Sequence, residues 1–247
     1  MQSSITPRQE PGVPVAYVTL RESATPVTAP VTKFGGQPVW LDAPRWPLSA
    51  TDGKPMRFVA QVALDPRLFG GATEARMAYV FLAEDDPQLW TKDGKYAGVD
   101  GAVVLQPGGA TGYAHALMER GPTLDRLVER RSGFLGLRRQ HERVPCEYTV
   151  ELDYATEPEL RLVDVSSEDY DEDIADTMND ERVTRTKVGG TPAFIQDVEF
   201  PFDPPCTLVL QIADDDSRFA LPLSDVGSLY AFMDPRGVRG GLIIQSH

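Results

Sequence analysis

The residues of this 247-residue chain whose types and spacing could do chemistry are mostly carboxylates. The run DVSSEDYDEDIADTMNDE, Asp164 to Glu181, holds nine of them in eighteen positions, with Asp169, Asp171, Glu172 and Asp173 at its centre. Alternating aspartates can chelate calcium. The EF-hand loop, however, needs a glycine and a bidentate glutamate at fixed places, and Asp169, Asp171 and Asp173 enclose no such glycine. That leaves a metal site the weakest of three readings for the run. The others are a solvated linker and a docking surface that steers a basic partner into place by its field. A second cluster, Asp214, Asp215 and Asp216, follows an apolar stretch. Carboxylates at a strand end can pair as acid and base or bind a metal, and they are also ordinary turn residues.

Other candidate groups are sparse. The stretch QPGGATGY, Gln106 to Tyr113, is a glycine-rich loop that matches neither the P-loop nor the dinucleotide fingerprint. It exposes Tyr113, and His115 follows closely, so the two could line a small pocket. His141-Glu142 lacks the second histidine of a zinc-protease helix, and no GxSxG occurs. The two cysteines, Cys146 and Cys206, form no CxxC and have no motif partner for nucleophilic catalysis. Each stands at the start of an apparent strand, as small buried side chains do. No metal and no cofactor is expected.

Arg120–Arg143 carries seven arginines against three acids. It either pairs internally with the acidic run or binds an anion. No aromatic residues interleave with these arginines in the way that nucleic-acid stacking requires. The chain as a whole has a formal net charge of −13. That disfavours a phosphate-backbone binder and an anionic membrane, and it permits a basic protein partner. The N-terminal residues show no signal peptide, and no apolar run approaches the roughly 20 residues that span a bilayer. A cytoplasmic protein is expected.

The elements that must position these groups are β-strands. Hydrophobic content of 41% and charged content of 25% place the chain among globular proteins. Its 21 glycines and 21 prolines recur in a way that suggests short strands and turns. CEYTVELDY, Cys146 to Tyr154, alternates as a half-buried antiparallel strand does. Met77–Ala83, Ala102–Gln106 and Leu242–Gln245 read as further strands. Thr123–Arg131 is the best helix candidate, since Leu124, Leu127 and Val128 share a helical face. Asp171–Asn179 is a weaker one.

One unit occurs twice. TKFGGQPVWLDAPRWP (Thr32 to Pro47) aligns without a gap to TKVGGTPAFIQDVEFP (Thr186 to Pro201), with six identities. RFVAQVALD then matches TLVLQIADD, placing Gln61 opposite Gln211, and Tyr79 aligns with Tyr230. The glycine pair supplies positive φ or close chain approach, the proline fixes an extended entry, and the aromatic residue after it plugs into a core. The expected fold is α+β, predominantly antiparallel β, with few short helices and an internal duplication of pseudo-twofold symmetry. The chain reads as a single domain over residues 1–247, with halves of approximately 30–106 and 184–247 linked by 107–183.

The string GGQPVW, followed by a Trp-Pro, RFVAQVALD, YVFLAEDD and Trp90, resembles the bacterial YwqG-like family of unknown function. More distantly it is similar to the programmed-cell-death-two-like proteins, although their cysteine-rich zinc module is missing here. The first resemblance implies a β-rich duplicated fold with no established catalytic site. The second implies a dedicated chaperone, and some YwqG-like proteins are associated with toxin systems as immunity partners. The reading that follows is a non-enzymatic protein-binding module. It would bind a basic toxin or client protein through Asp169, Asp171, Glu172 and Asp173, without contacting nucleic acid or membrane. The alternative is an enzyme or small-ligand binder with a pocket between the halves, near Tyr113, His115 and Asp214–Asp216.

Overall fold

The computed structural model describes residues 12–71, 73–84, 88–90, 96–110, 112–132, 138–159, 185–196, 198–213, 221, 223 and 227–246. Ten strands form one antiparallel sheet. From one edge to the other they are β16 (Gly240–Ser246), β15 (Gly227–Met233), β14 (Thr207–Ile212), β13 (Lys187–Gly189), β1 (Val13–Glu22), β12 (Glu147–Glu157), β2 (Lys33–Gly35), β4 (Arg57–Ala63), β5 (Met77–Leu82) and β8 (Gly101–Gln106). The sheet curls until its two edges touch. A Cβ at Gly240 would lie 2.5 Å from the Val103 carbonyl oxygen, and one at Gly101 would lie 3.0 Å from the Leu242 methyls. Three two-stranded ribbons lie outside it: β3 (Trp46–Pro47) with β9 (His115–Ala116), β6 (Gln88–Trp90) with β7 (Tyr96–Val99), and β10 (Asp125–Ser132) with β11 (Arg138–Pro145). Among the described residues the one helix is α1 (Pro66–Phe69), capped by the Asp65 side chain.

Strands β5 and β15 show why the sequence reads as unbroken apolar runs there. Every residue of both is buried. Alternate residues go to opposite faces. Ala78, Val80 and Leu82, with Leu229, Ala231 and Met233, enter the large core enclosed by the sheet. Tyr79 and Phe81 enter a second cluster with Trp46 and Phe58, and Tyr230 and Phe232 enter a third with Phe194 and Leu208. The outer clusters are capped by the segments that follow each Gly-Gly turn. Trp46 is fully buried, donates from Nε1 to the Met56 carbonyl at 2.8 Å, and meets Phe81 edge-on at 5.2 Å between ring centroids. Phe200 meets Phe232 in the same way at 5.5 Å.

The sequence match between the two units extends to hydrogen bonds. Lys33 faces Gln61 across β2 and β4, and Lys187 faces Gln211 across β13 and β14. The Gln61 amide accepts from Val39 N at 2.8 Å and donates to the Val31 carbonyl at 2.8 Å. The Gln211 amide accepts from Ala193 N at 3.0 Å and donates to the Arg185 carbonyl at 3.3 Å. Gln106 accepts from Leu41 N, and Gln245 accepts from Ile195 N. Tyr79 donates to the Val39 carbonyl, and Tyr230 to the Ala193 carbonyl. Each unit therefore pins its crossing segment to the sheet by its backbone. Without these amides, buried N–H and C=O groups would lose their partners.

The Thr123–Arg131 helix is not formed. Asp125–Ser132 is strand β10, paired over eight rungs with β11. Leu124 is buried and tied at the root, donating to the Phe58 carbonyl and accepting from Cys146 N, whereas Leu127 is 59% exposed. The two leucines that share a helical face in the sequence thus lie in opposite environments, and long-range pairing overrides the local period. The Asp171–Asn179 helix lies outside the described residues.

Candidate functional site

Two buried ion pairs sit beneath the Gly-Gly turns. Lys33 Nζ lies 2.6 Å from Glu147 Oε1 and 3.0 Å from the Val27 carbonyl. Lys187 Nζ lies 2.9 and 2.7 Å from the two oxygens of Glu157, and it also donates to the Thr191 carbonyl. Thr191 N and the Tyr17 hydroxyl complete the Glu157 shell at 2.7 and 3.0 Å. Both acids come from β12, one from its first residue and one from its last. The second glycine of each pair makes room for the acid. Gly36 and Gly190 have φ of 64° and 79°. A Cβ would stand 2.3 Å from Glu147 Oε1 in the first and 2.4 Å from Glu157 Oε2 in the second. These pairs hold turns in place, the Lys187–Glu157 pair fully enclosed and the Lys33–Glu147 pair only slightly exposed at its acid. Their sequence signal was the lysine shared by both copies, next to the glycines.

The groups proposed for small-ligand chemistry are partly brought together. Tyr113 and His115 meet edge-on with ring centroids 6.3 Å apart. The Tyr113 hydroxyl is buried without a hydrogen-bond partner, and burial raises it to about 12. Arg45 lies nearby, donating to the carbonyls of Leu105, Gly108 and Gly109. His115 is exposed on β9. Asp214–Asp216 lie outside the described residues, as do Asp169, Asp171, Glu172 and Asp173. Burial raises the Cys146 thiol to about 11 and also raises that of Cys206, which suits structural thiols. Among the described residues no group of three or more His, Cys, Asp or Glu could hold a metal ion.

A further charged feature is the β10–β11 ribbon. Among the described residues it pairs with no other strand. Its root is a loose network. Arg57, whose side chain is 2% exposed, lies 3.6 Å from Glu84 and 4.0 Å from Asp125, and Arg143 lies 4.0 Å from Asp125. Arg126 reaches Glu22 at 2.9 Å. Asp125 Oδ1 and Arg126 Nε are buried there without hydrogen-bond partners. Beyond the root, Gln140, His141, Glu142 and Arg143 are exposed. This arrangement can present charge to a partner.

The nearly closed antiparallel sheet and its charged ribbon define a β-sheet protein whose exposed chemistry is ionic. The chain belongs to the DUF1963 family, a domain of unknown function, whose family model matches residues 32–239. No curated protein matches the chain. Among the described residues no helix is long and apolar enough to cross a membrane.

Proposed function

We propose that the protein is a non-enzymatic protein-binding module of the cytoplasm, a dedicated chaperone or a toxin-neutralising immunity protein, acting by steric and electrostatic occlusion of a basic partner. The observation that carries this reading is how the folded body treats its own cations. Lys33, Lys187 and Arg57 are buried, and Arg21, Lys54 and Arg67 are joined to Glu151, Asp52 and Asp65. Each such pair is neutral, so the net charge of −13 is carried by the other residues of the chain and can act on a partner. Asp169, Asp171, Glu172 and Asp173 are the densest acidic stretch and the proposed contact. The YwqG-like resemblance and the more distant chaperone resemblance support the same reading. We also read the two matched units as products of an internal duplication.

The test has two stages. Partners are captured from native lysate at low salt and eluted with rising salt. The eluted protein is then purified and titrated against the wild type and a variant with Asp169, Asp171, Glu172 and Asp173 each changed to Lys. A salt-dependent affinity that the variant loses supports the contact. Equal affinity and equal salt slope in both proteins would sink it.

A further inference from the structure

The loop that follows β8 holds a fixed cation and a buried hydroxyl, and nothing in the body answers either. Arg45 donates from Nη1 to the Gly109 carbonyl at 2.9 Å, and from Nη2 to the Leu105 carbonyl at 3.0 Å and to the Gly108 carbonyl. Gly108 and Gly109 both have positive φ, 76° and 75°, so successive carbonyls bend onto one guanidinium. These carbonyls hold the group still but bring no negative charge. Among the described residues no carboxylate lies within ion-pair distance of Arg45. A guanidinium has five N–H donors, so the Nε hydrogen and one Nη1 hydrogen are left over.

Tyr113 stands at the far end of the same loop. Its hydroxyl is buried without a hydrogen-bond partner, a state that folded chains seldom tolerate. The ring packs against the Trp46 cluster, at an apolar margin where a charge-assisted hydrogen bond gains strength. Arg45 is close enough for its charge to bear on that hydroxyl. Exposed His115 meets the Tyr113 ring edge-on. The shared scaffold does not demand this arginine. In the second unit the matched position is Glu199, before Phe200 as Arg45 is before Trp46. A residue needed only to support the crossing segment would not reverse its charge between the units.

We infer that Arg45, Tyr113 and His115 form a binding site for the carboxylate of a small molecule. One spare Arg45 N–H and the Tyr113 hydroxyl each donate to a carboxylate oxygen, and His115 stands at the solvent side. Charge selects this class of ligand. Arg45 supplies one permanent positive charge, and a carboxylate supplies one negative charge. A phosphate monoester carries about −1.5 to −2 at neutral pH and would call for a second fixed cation. This site is separate from the acidic contact proposed above and does not depend on it.

The probes are acetate and benzoate, with inorganic phosphate and chloride at matched ionic strength. They are titrated into the full chain and followed by the His115 ring signals in proton NMR, which His115→Gln identifies among the three histidines. Saturable shifts of His115 are expected with the carboxylates and not with chloride. Tyr113→Phe keeps the packed ring and should weaken benzoate roughly tenfold, the loss expected for one hydrogen bond to a charged group. Its thermal midpoint without ligand should hold or rise, because the unpartnered hydroxyl is gone. A hydroxyl with only a structural role would give the reverse, a lower midpoint and unchanged affinity. Arg45→Gln should abolish binding, and Arg45→Lys should restore part of it if the glutamine loosens the loop. No saturable shift with either carboxylate, tighter binding of phosphate, or unchanged affinity in Tyr113→Phe would overturn the inference.

Discussion

Replacing Lys187 by Met removes an ammonium from a site where it is 0% exposed and its partner Glu157 is 1% exposed. Glu157 would keep Thr191 N and the Tyr17 hydroxyl as donors, at 2.7 and 3.0 Å, but it would hold a buried charge with no counterion. Breaking such a pair costs about 3–5 kcal/mol. The Thr191 carbonyl also loses the donor that Lys187 supplies. The expected loss is therefore about 4 kcal/mol, which for a domain of this size lowers the melting temperature by roughly 8–16 °C. Lys33→Met should cost less, about 2 kcal/mol, because the Glu147 side chain is 13% exposed and water can reach it. The double variant Lys187→Met, Glu157→Leu removes both charges and should recover most of the loss. Urea unfolding followed by tryptophan fluorescence gives all three values. A Lys187→Met cost below about 1 kcal/mol, or a double variant weaker than the single, would refute the view that this pair holds the second turn.

Gly36→Ala and Gly190→Ala should each cost about 3–4 kcal/mol, since a carboxylate must leave its lysine and the backbone is left-handed as well. Gly53→Ala, at φ 72° with nothing within 4 Å, should cost only about 1 kcal/mol. Thermal melts should show both losses exceeding that of Gly53→Ala, and a loss at Gly36 or Gly190 no larger than at Gly53 would refute the packing of an acid beneath each turn. Alkaline stability follows from Cys146 and Tyr148, which burial raises to about 11 and about 12 from ordinary values of 9.0 and 10.0. From about pH 9 to about pH 12 the unfolded chain has released protons that the folded chain keeps. Stability is thus fully present below pH 9 and falls as pH rises. Urea midpoints across that range should decline, and Cys146→Ser should remove the lower part of the decline. A flat profile would contradict the burial of both groups.

The strands were legible where one physical cause dominated. Met77–Ala83 and Leu242–Gln245 are apolar runs because both faces are buried, and β5 and β16 occupy them. The shared Gly-Gly-x-Pro string foretold two matching turns, and each turn leads its aromatic residue into a core as expected. What the string did not reveal was the acid under each turn. Glu147 and Glu157 stand on a distant strand, and both come from β12 although the lysines come from separate copies. The role of Gln61 and Gln211 was hidden for the same reason, because the amides they satisfy lie far along the chain. Thr123–Arg131 was misread at the level of period. Leu124, Leu127 and Val128 fit a helix, yet Leu124 belongs to the body and Leu127 to the ribbon.

That misreading changes the electrostatic argument. On a helix packed against the body, Arg126, Arg130 and Arg131 of Thr123–Arg131 would lie within two turns of Leu124. On strand β10 the segment leaves the body after Leu124, and its root arginines meet acids only loosely: Arg126 reaches Glu22 at 2.9 Å with both side chains about half exposed, and Arg143 lies 4.0 Å from Asp125. Arg126→Gln should therefore cost less than about 1 kcal/mol in urea unfolding. A larger loss would mean that the root of the ribbon depends on this pair.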